Sequence, residues 1–243
     1  MIYAIIGTGL LFVAIGFMVT EKNAKYLLSG YNTMKEEDRK KFDLKSFLPN
    51  FRKFHLFLGI SLMVIGLIIY YINENIAGIF LGVYPILAYI YFISTNLKYA
   101  KGLGSQWNKI GIYILAGTLI FVIGILGFGF RENKIKFNEQ NVEFLGSYSE
   151  TLKESEIESI GLTDDLPKIT RRTNGFSLGS IHKGYYKTED GEKIKLILNS
   201  DKKPYILFTK KDGHKIFYSA KEKSNEVLFN EIKSTLRNTT YEQ

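Results

Sequence analysis

Four apolar runs, Ile2–Thr20, His55–Ile72, Ile76–Thr95 and Ile110–Phe130, alternate with polar segments through the first half of the chain. Beyond residue 134 the pattern changes to short alternating stretches separated by turn residues. Each apolar run is about 18–21 residues, which at about 1.5 Å rise per residue reaches across a hydrocarbon core of about 30 Å. The pattern predicts four membrane spans. The turn Asn73-Glu74-Asn75 is so short that the second and third spans must be antiparallel neighbours. Tyr70, Tyr71, Tyr99, Trp107 and Tyr113 fall near span ends, where amphipathic rings settle at headgroup depth. Pro85 predicts a kink in the third span.

In the second half, alternation predicts strands at Lys134–Phe137, Val142–Tyr148, Ser155–Gly161, Lys168–Thr173, Ser180–Tyr186, Lys193–Asn199, Pro204–Lys210 and His214–Tyr218. Turn signals separate them at Asn174-Gly175, Glu189-Asp190-Gly191, Asp201 to Pro204 and Asp212-Gly213. One helix closes the domain over Lys221–Leu236, with Ser219 and Glu222 as a capping box and Leu228, Ile232 and Leu236 on one stripe. The polar tail 237–243 is expected to fray. The fold class is thus a four-span helical membrane domain, residues 1–130, followed by a mostly-β sandwich or barrel, residues 131–243.

Charge fixes an expected orientation. The chain carries +8 at neutral pH, but the β-rich half holds 20 of the 32 basic and 18 of the 24 acidic residues and is nearly balanced. A nucleic-acid partner would concentrate basic residues on that soluble half, so none is expected. Loop 20–54 has nine basic residues and loop 96–109 has three, against none in the N-terminal tail and the 73–75 turn. Lys and Arg are retained on the cytoplasmic side, so both loops are expected inside and residues 131–243 outside the cell membrane. Arg131, Lys134 and Lys136 run mildly against this. The first run lacks a basic segment before Ile2 and a small-x-small cleavage site, and reads as a retained span rather than a signal peptide.

Loop 20–54 contains a T-x-x-E capping box, Thr33 and Glu36, and the i,i+4 pairs Glu36/Lys40 and Glu37/Lys41, predicting a short helix from Met34 to Phe42. An apolar thread, Phe42, Leu44, Phe47, Leu48, Phe51 and Phe54, leads on to the second span. It reads either as a segment lying in the membrane interface or as an ordinary basic loop. Asn23-Ala24-Lys25-Tyr26 and Asn96-Leu97-Lys98-Tyr99 share N-x-K-Y, as a tandem two-helix repeat or a chance coincidence would.

Candidate chemistry is sparse. Without cysteine there is no disulfide, thiolate metal site or cysteine nucleophile. His55, His182 and His214 have no second ligand at metal spacing, and no phosphate loop or nucleophile elbow is present, so neither enzyme activity, metal nor cofactor is expected. His55 is expected at the membrane interface. The spans hold no ionisable residue of the kind a carrier needs at membrane depth, which disfavours transport. Gly9/Gly16, Gly59/Gly66 and Gly117/Gly124 recur seven apart, predicting close helix packing in three spans, and Gly78-x-x-x-Gly82 adds a small pair in another. Arg171 and Arg172 beside Asn174, with Lys183 nearby in sequence, are candidates for gripping an anionic ligand or partner. A solvated strand end explains them equally well.

Residues 23–43, with the loop motif Gly30-Tyr31-Asn32-Thr33-Met34 followed by Lys41-Phe42-Asp43, resemble an uncharacterised family of small bacterial membrane proteins. The same loop is similar, more distantly, to immunity proteins against peptide toxins. Residues 134–237, through Arg171/Arg172, Asn174-Gly175, Gly184-Tyr185-Tyr186, the run 195–199 and Lys203-Pro204-Tyr205-Ile206, resemble a bacterial pleckstrin-homology-like domain. This likeness implies a bent seven-stranded sheet capped by the last helix. The expected role is a non-enzymatic envelope protein presenting a binding domain at the outer face, as sensor, scaffold or immunity factor, with membrane lipid and a protein or peptide as partners. The alternative is a small transporter or lipid-handling protein acting through the helical bundle.

Overall fold

A computed structural model describes residues 1–96, 99, 106–236 and 240–242. Residues 97–98 and 100–104, which carry most of the second N-x-K-Y segment and the glycines after it, lie outside the described residues, as do 237–239 of the tail. The chain divides into two compact units, Met1–Ile125 and Leu126–Gln243.

The first unit is helical: α1 (Ile2–Met18), α2 (Ala24–Leu27), α3 (Glu36–Lys41), α4 (Leu44–Ile72), α5 (Glu74–Asn96) and α6 (Gln106–Phe130), whose last turn belongs to the second unit. Among the described residues three helical segments are long and apolar enough to cross a membrane: Leu44–Ile72, Glu74–Asn96 and Ile110–Phe130. Helix α1 is also apolar but has 17 residues. No residue of an 18-residue apolar window in Ile110–Phe130 is buried by protein, a surface suited to hydrocarbon rather than water.

Neighbouring helices run antiparallel. Gly9 lies against Gly59 and Met63, Gly16 against Arg52 and His55, and Ile5 against Gly66, so α1 descends as α4 rises. A Cβ on Gly9 would come within 2.8 Å of the Gly59 carbonyl, and one on Gly16 within 3.3 Å of the Arg52 carbonyl. The absence of side chains therefore brings two backbones together. Between α4 and α5, Asn73 Oδ1 accepts from the Asn75 and Ile76 N–H groups, both at 3.0 Å, and caps the returning helix.

Helix α4 corrects the expected break near residue 54. Asp43 caps it by accepting the Ser46 N–H at 3.0 Å, and the helix continues through the basic segment into the span. Phe47, Phe51, His55, Leu58, Leu62 and Gly66 form one buried stripe, so the apolar thread is the helix's inner face rather than a separate interfacial segment. Pro49 is accommodated in the second turn. The capping box at Thr33 does not form: α3 starts at Glu36, Lys35 is its N-cap, and Thr33 Oγ1 donates to the Gly30 carbonyl at 3.1 Å. Glu36 does pair with Lys40, at 3.8 Å on an exposed surface.

The second unit holds a three-stranded antiparallel sheet, β1 (Ile135–Phe137), β2 (Asn141–Phe144) and β3 (Glu150–Lys153). A seven-stranded sheet follows, built from β4 (Ile157–Thr163), β5 (Ile169–Leu178), β6 (Ile181–Thr188), β7 (Lys193–Leu198), β8 (Tyr205–Lys210), β9 (Lys215–Ser219) and β10 (Thr240–Glu242). Its order is β10-β4-β8-β9-β7-β6-β5, with β7/β9 and β4/β10 parallel and the other pairs antiparallel. Helix α7 (Asn225–Thr235) closes a core that includes Phe144, Ile160, Ile197, Phe208, Tyr218, Leu228 and Ile232. Alternation along β7 sends Ile194, Leu196 and Leu198 into a second cluster with Tyr186, Tyr205 and Phe217.

Several expected boundaries move. β3 was not anticipated, and the tail residues Thr240–Glu242 pair with β4 instead of fraying, which lets Tyr241 pack on the Phe229 ring. The closing helix begins at Asn225 rather than Lys221, and Ser219 instead donates to the Ser200 carbonyl at 2.6 Å. Asn174-Gly175 is not a turn. β5 runs through it and the chain reverses at Gly179-Ser180, pairing Leu178 with Ile181. Gly175 and Gly184 face each other in this hairpin with φ of 151° and 124°, and a side chain on either would strike the opposite backbone. Both dipeptides are two-residue turn signals; the facing glycines decide between them.

Candidate functional site

The predicted anion-gripping residues separate into two places. Arg171, Arg172 and Asn174 lie on β5, an edge strand whose first six residues are exposed. Register shifts at Ile169/Arg171 and Arg172/Asn174 bend the strand, and Thr170 and Thr173 turn their hydroxyls back to carbonyls of β6 at 3.0 and 2.9 Å. Such bulges blunt an edge and re-aim its side chains. Lys168 pairs with Glu189 at 3.5 Å, whereas neither arginine closes an ion pair among the described residues. Two free guanidinium groups on an exposed edge can take carboxylate or phosphate bidentately.

Lys183 leaves that group. It is fully buried, and its ammonium donates to the carbonyls of Gly129 at 3.0 Å and Arg131 at 2.5 Å. The lysine thereby caps the C-terminal end of α6, where carbonyls lack helical partners and carry negative dipole charge. Phe176, from the facing strand, packs on Gly129 and meets the Phe130 ring edge-on at 5.7 Å. Burial pushes the ammonium's pKa down to about 8, with Glu132 opposing the shift and Lys221 adding to it. Proximity in sequence to Arg172 concealed this role: Lys183 pairs with Phe176, four residues along β5 from Arg172.

Sequence reasoning missed an ionic cluster that ties β3 to the larger sheet. Glu150 receives Lys195 at 2.7 Å and Lys210 at 3.3 Å, and Lys210 also reaches Asp212 at 3.6 Å. Burial alone would raise the carboxyl's pKa, but the two ammonium groups outweigh it and hold it below the usual range. His182 accepts or donates at 2.7 Å with its register partner Ser177, and burial, reinforced by Arg172, lowers its pKa and favours the neutral ring. Among the described residues no three His, Asp or Glu side chains are grouped to hold a metal.

The helical unit contains a polar seam that the search for charged residues passed over. Asn50 donates to Asn96 at 2.5 Å, His55 Nε2 meets the Tyr89 hydroxyl at 2.8 Å, and Ser61 meets the Tyr84 hydroxyl at 2.6 Å. The three pairs succeed one another along the antiparallel α4/α5 interface. His55 is buried between the helices, with Nδ1 at 2.8 Å from the Phe51 carbonyl. The first residue of the second apolar run is thus an ionisable side chain held in the α4/α5 contact. Its signal was the i,i+4 series Phe47, Phe51, His55.

The predicted glycines divide as well. Gly9, Gly16, Gly59 and Gly66 all contact the opposite helix in the α1/α4 seam, while a Cβ on Gly117 or Gly124 would meet nothing within 4 Å. The seven-residue spacing in α6 thus does not mark a packed face among the described residues. In the loop motif, Gly30 adopts φ 85° and Tyr31 packs its ring on Phe42 at 5.4 Å. Thr33 closes back on Gly30, and the Asn32 N–H bonds to the Leu28 carbonyl at 3.0 Å. The motif shapes the chain between α2 and α3.

These features describe a protein with helices built for a membrane and a separate mostly-β unit. Residues 6–99 match the family described as a domain of unknown function, DUF3784. The matched stretch holds α2 to α5, most of α1, the loop motif and the polar seam. No curated protein and no solved structure matches the chain.

Proposed function

We propose that this chain is a non-enzymatic multi-pass membrane protein of the bacterial envelope, with α1 as a fourth span and a pleckstrin-homology-like unit that binds an anionic protein or peptide segment. The observation that carries this reading is the exposed edge strand β5, where Arg171 and Arg172 are without ion-pair partners among the described residues. The number of strands in the larger sheet and the closing helix α7 support the fold likeness. Loop charges support the orientation, with 20–54 inside and 131–243 outside. The role is that of a sensor, scaffold or immunity factor, in which the spans hold the binding unit at the surface.

Crosslinking in intact cells followed by purification in detergent tests it. Wild type should recover a stoichiometric protein or peptide, and Arg171→Glu with Arg172→Glu should lose it while keeping the thermal midpoint. Recovery that is unchanged in the double variant rejects β5 as the contact. A second reading, transport or lipid handling through the bundle, draws on the polar seam between α4 and α5. Substrate flux in proteoliposomes that survives deletion of 131–243 would select it.

A further inference from the structure

A cleft of about 340 Å³ lies just beyond the end of α6, lined by Arg131, Glu132, Lys134, Leu145 and Gly146. Its position follows from helix geometry. The 21 residues Ile110–Phe130 span about 31 Å at 1.5 Å each, the thickness of a hydrocarbon core, so the residues immediately after Phe130 sit among lipid headgroups. Arg131 and Lys134 are both exposed there. Glu132 accepts the Lys221 N–H at 3.4 Å, and the buried Lys183 ammonium donates to the Arg131 carbonyl. Local charge is thus dominated by cations, with one carboxylate on the wall.

A buried polar group adjoins the cleft wall at Gly146. Gly146, at φ 103°, leaves space that a Cβ could not share with the Asn133 side chain, which would lie 3.1 Å from it. Asn133 is fully buried and fixed: its N–H donates to Asn199 Oδ1 at 2.8 Å, its amide nitrogen donates to the Ser147 carbonyl, and its own carbonyl accepts Asn199 and Tyr218. Its Oδ1 has no hydrogen-bond partner, and no other buried side-chain nitrogen or oxygen among the described residues shares that condition. A buried acceptor without a donor is costly and uncommon.

We propose that this cleft is a site for the headgroup of an anionic phospholipid, with Arg131 and Lys134 on the phosphodiester. Depth selects a lipid over a soluble anion: Arg131, Glu132 and Lys134 follow directly on the last turn of an apolar segment long enough to cross a membrane. The proposal rests on the membrane-spanning reading of α6 and adds a partner to it. Binding at this site would fix the height of the β unit's first residues against the bilayer surface.

The test uses the full chain purified in neutral detergent, with phosphatidylglycerol and phosphatidylcholine supplied in equal amounts and retained lipid measured by native mass spectrometry. Wild type should favour phosphatidylglycerol. Arg131→Gln with Lys134→Gln should reduce that preference by roughly 30-fold, from about fivefold for each basic residue near an anionic surface. Arg131→Lys with Lys134→Arg should keep it, as should Arg171→Gln with Arg172→Gln. Unchanged retention in the first double variant overturns the site, and equal competition by water-soluble glycerophosphate overturns the choice of lipid. Solubility of the chain without detergent would instead overturn the membrane reading on which the site depends.

Discussion

Lys183 is one of the few residues here whose chemistry its immediate neighbours in sequence conceal. Its ammonium is buried on the Gly129 and Arg131 carbonyls with no carboxylate in hydrogen-bond contact among the described residues, and burial lowers its pKa to about 8. An unfolded lysine holds its proton to about 10.4. Between these values the unfolded chain binds more protons, so the Lys183 contribution to stability rises as pH rises through the window and is constant below it. Against Lys183→Met, wild type should therefore gain on the order of 1 kcal/mol per pH unit between pH 8 and 10. Thermal midpoints of both proteins in detergent at three pH values check this, and a difference that does not change with pH rejects it. The comparison cancels Tyr218, whose raised pKa, caused first by burial and then by Glu132, acts in the opposite sense at high pH.

At the scale of elements, α1 and α4 approach through glycine and α4 and α5 through hydrogen-bonded polar pairs. Gly59→Leu should force the α1 and α4 backbones apart and cost about 1–3 kcal/mol, a typical range for overpacking. Gly124→Leu, facing open space, should leave the detergent midpoint unchanged. Equal effects at the two positions would remove the seam as the explanation. Tyr89→Phe keeps the ring contacts with Phe12 and Phe54 but strands the His55 nitrogen, and should cost about 0.6–2 kcal/mol. Full tolerance would show that the pair contributes nothing to holding α4 against α5. In β5 the twin bulges keep Arg171 and Arg172 outward, so their charge reversal should alter partner recovery without altering the melt.

For the whole molecule, orientation decides which ligands the β unit meets. α1 and α4 pack antiparallel. The chain has no cysteine, so single substitutions report cleanly. Ser200 is a poor reporter because its hydroxyl is buried on the Ala220 carbonyl at 2.6 Å. Asp190→Cys, on an exposed turn, should react with an impermeant maleimide on intact cells or spheroplasts, and Ser46→Cys, exposed in the basic segment, should not. Reaction at Ser46→Cys with protection at Asp190→Cys reverses the orientation and admits cytoplasmic ligands.

Apolar length alone made it legible that α4, α5 and α6 contain segments long and apolar enough to cross a membrane, and alternation located most strands, because these signals depend on each segment's own surface. The same reading could not choose between Asn174-Gly175 and Gly179-Ser180 as the reversal, since both are turn dipeptides and the choice lay in a glycine nine residues away at Gly184. It placed Lys183 with Arg171 and Arg172, whereas strand pairing carries the ammonium to the end of α6. It ended the basic loop where apolarity began, although Asp43 starts the helix eleven residues before that run begins at His55. Gly9 and Gly124 are alike in sequence, and only the presence of a neighbouring helix separates a packed glycine from an idle one. The cap of Asp43 on Ser46 is local, but in the other cases partners elsewhere along the chain decided the outcome.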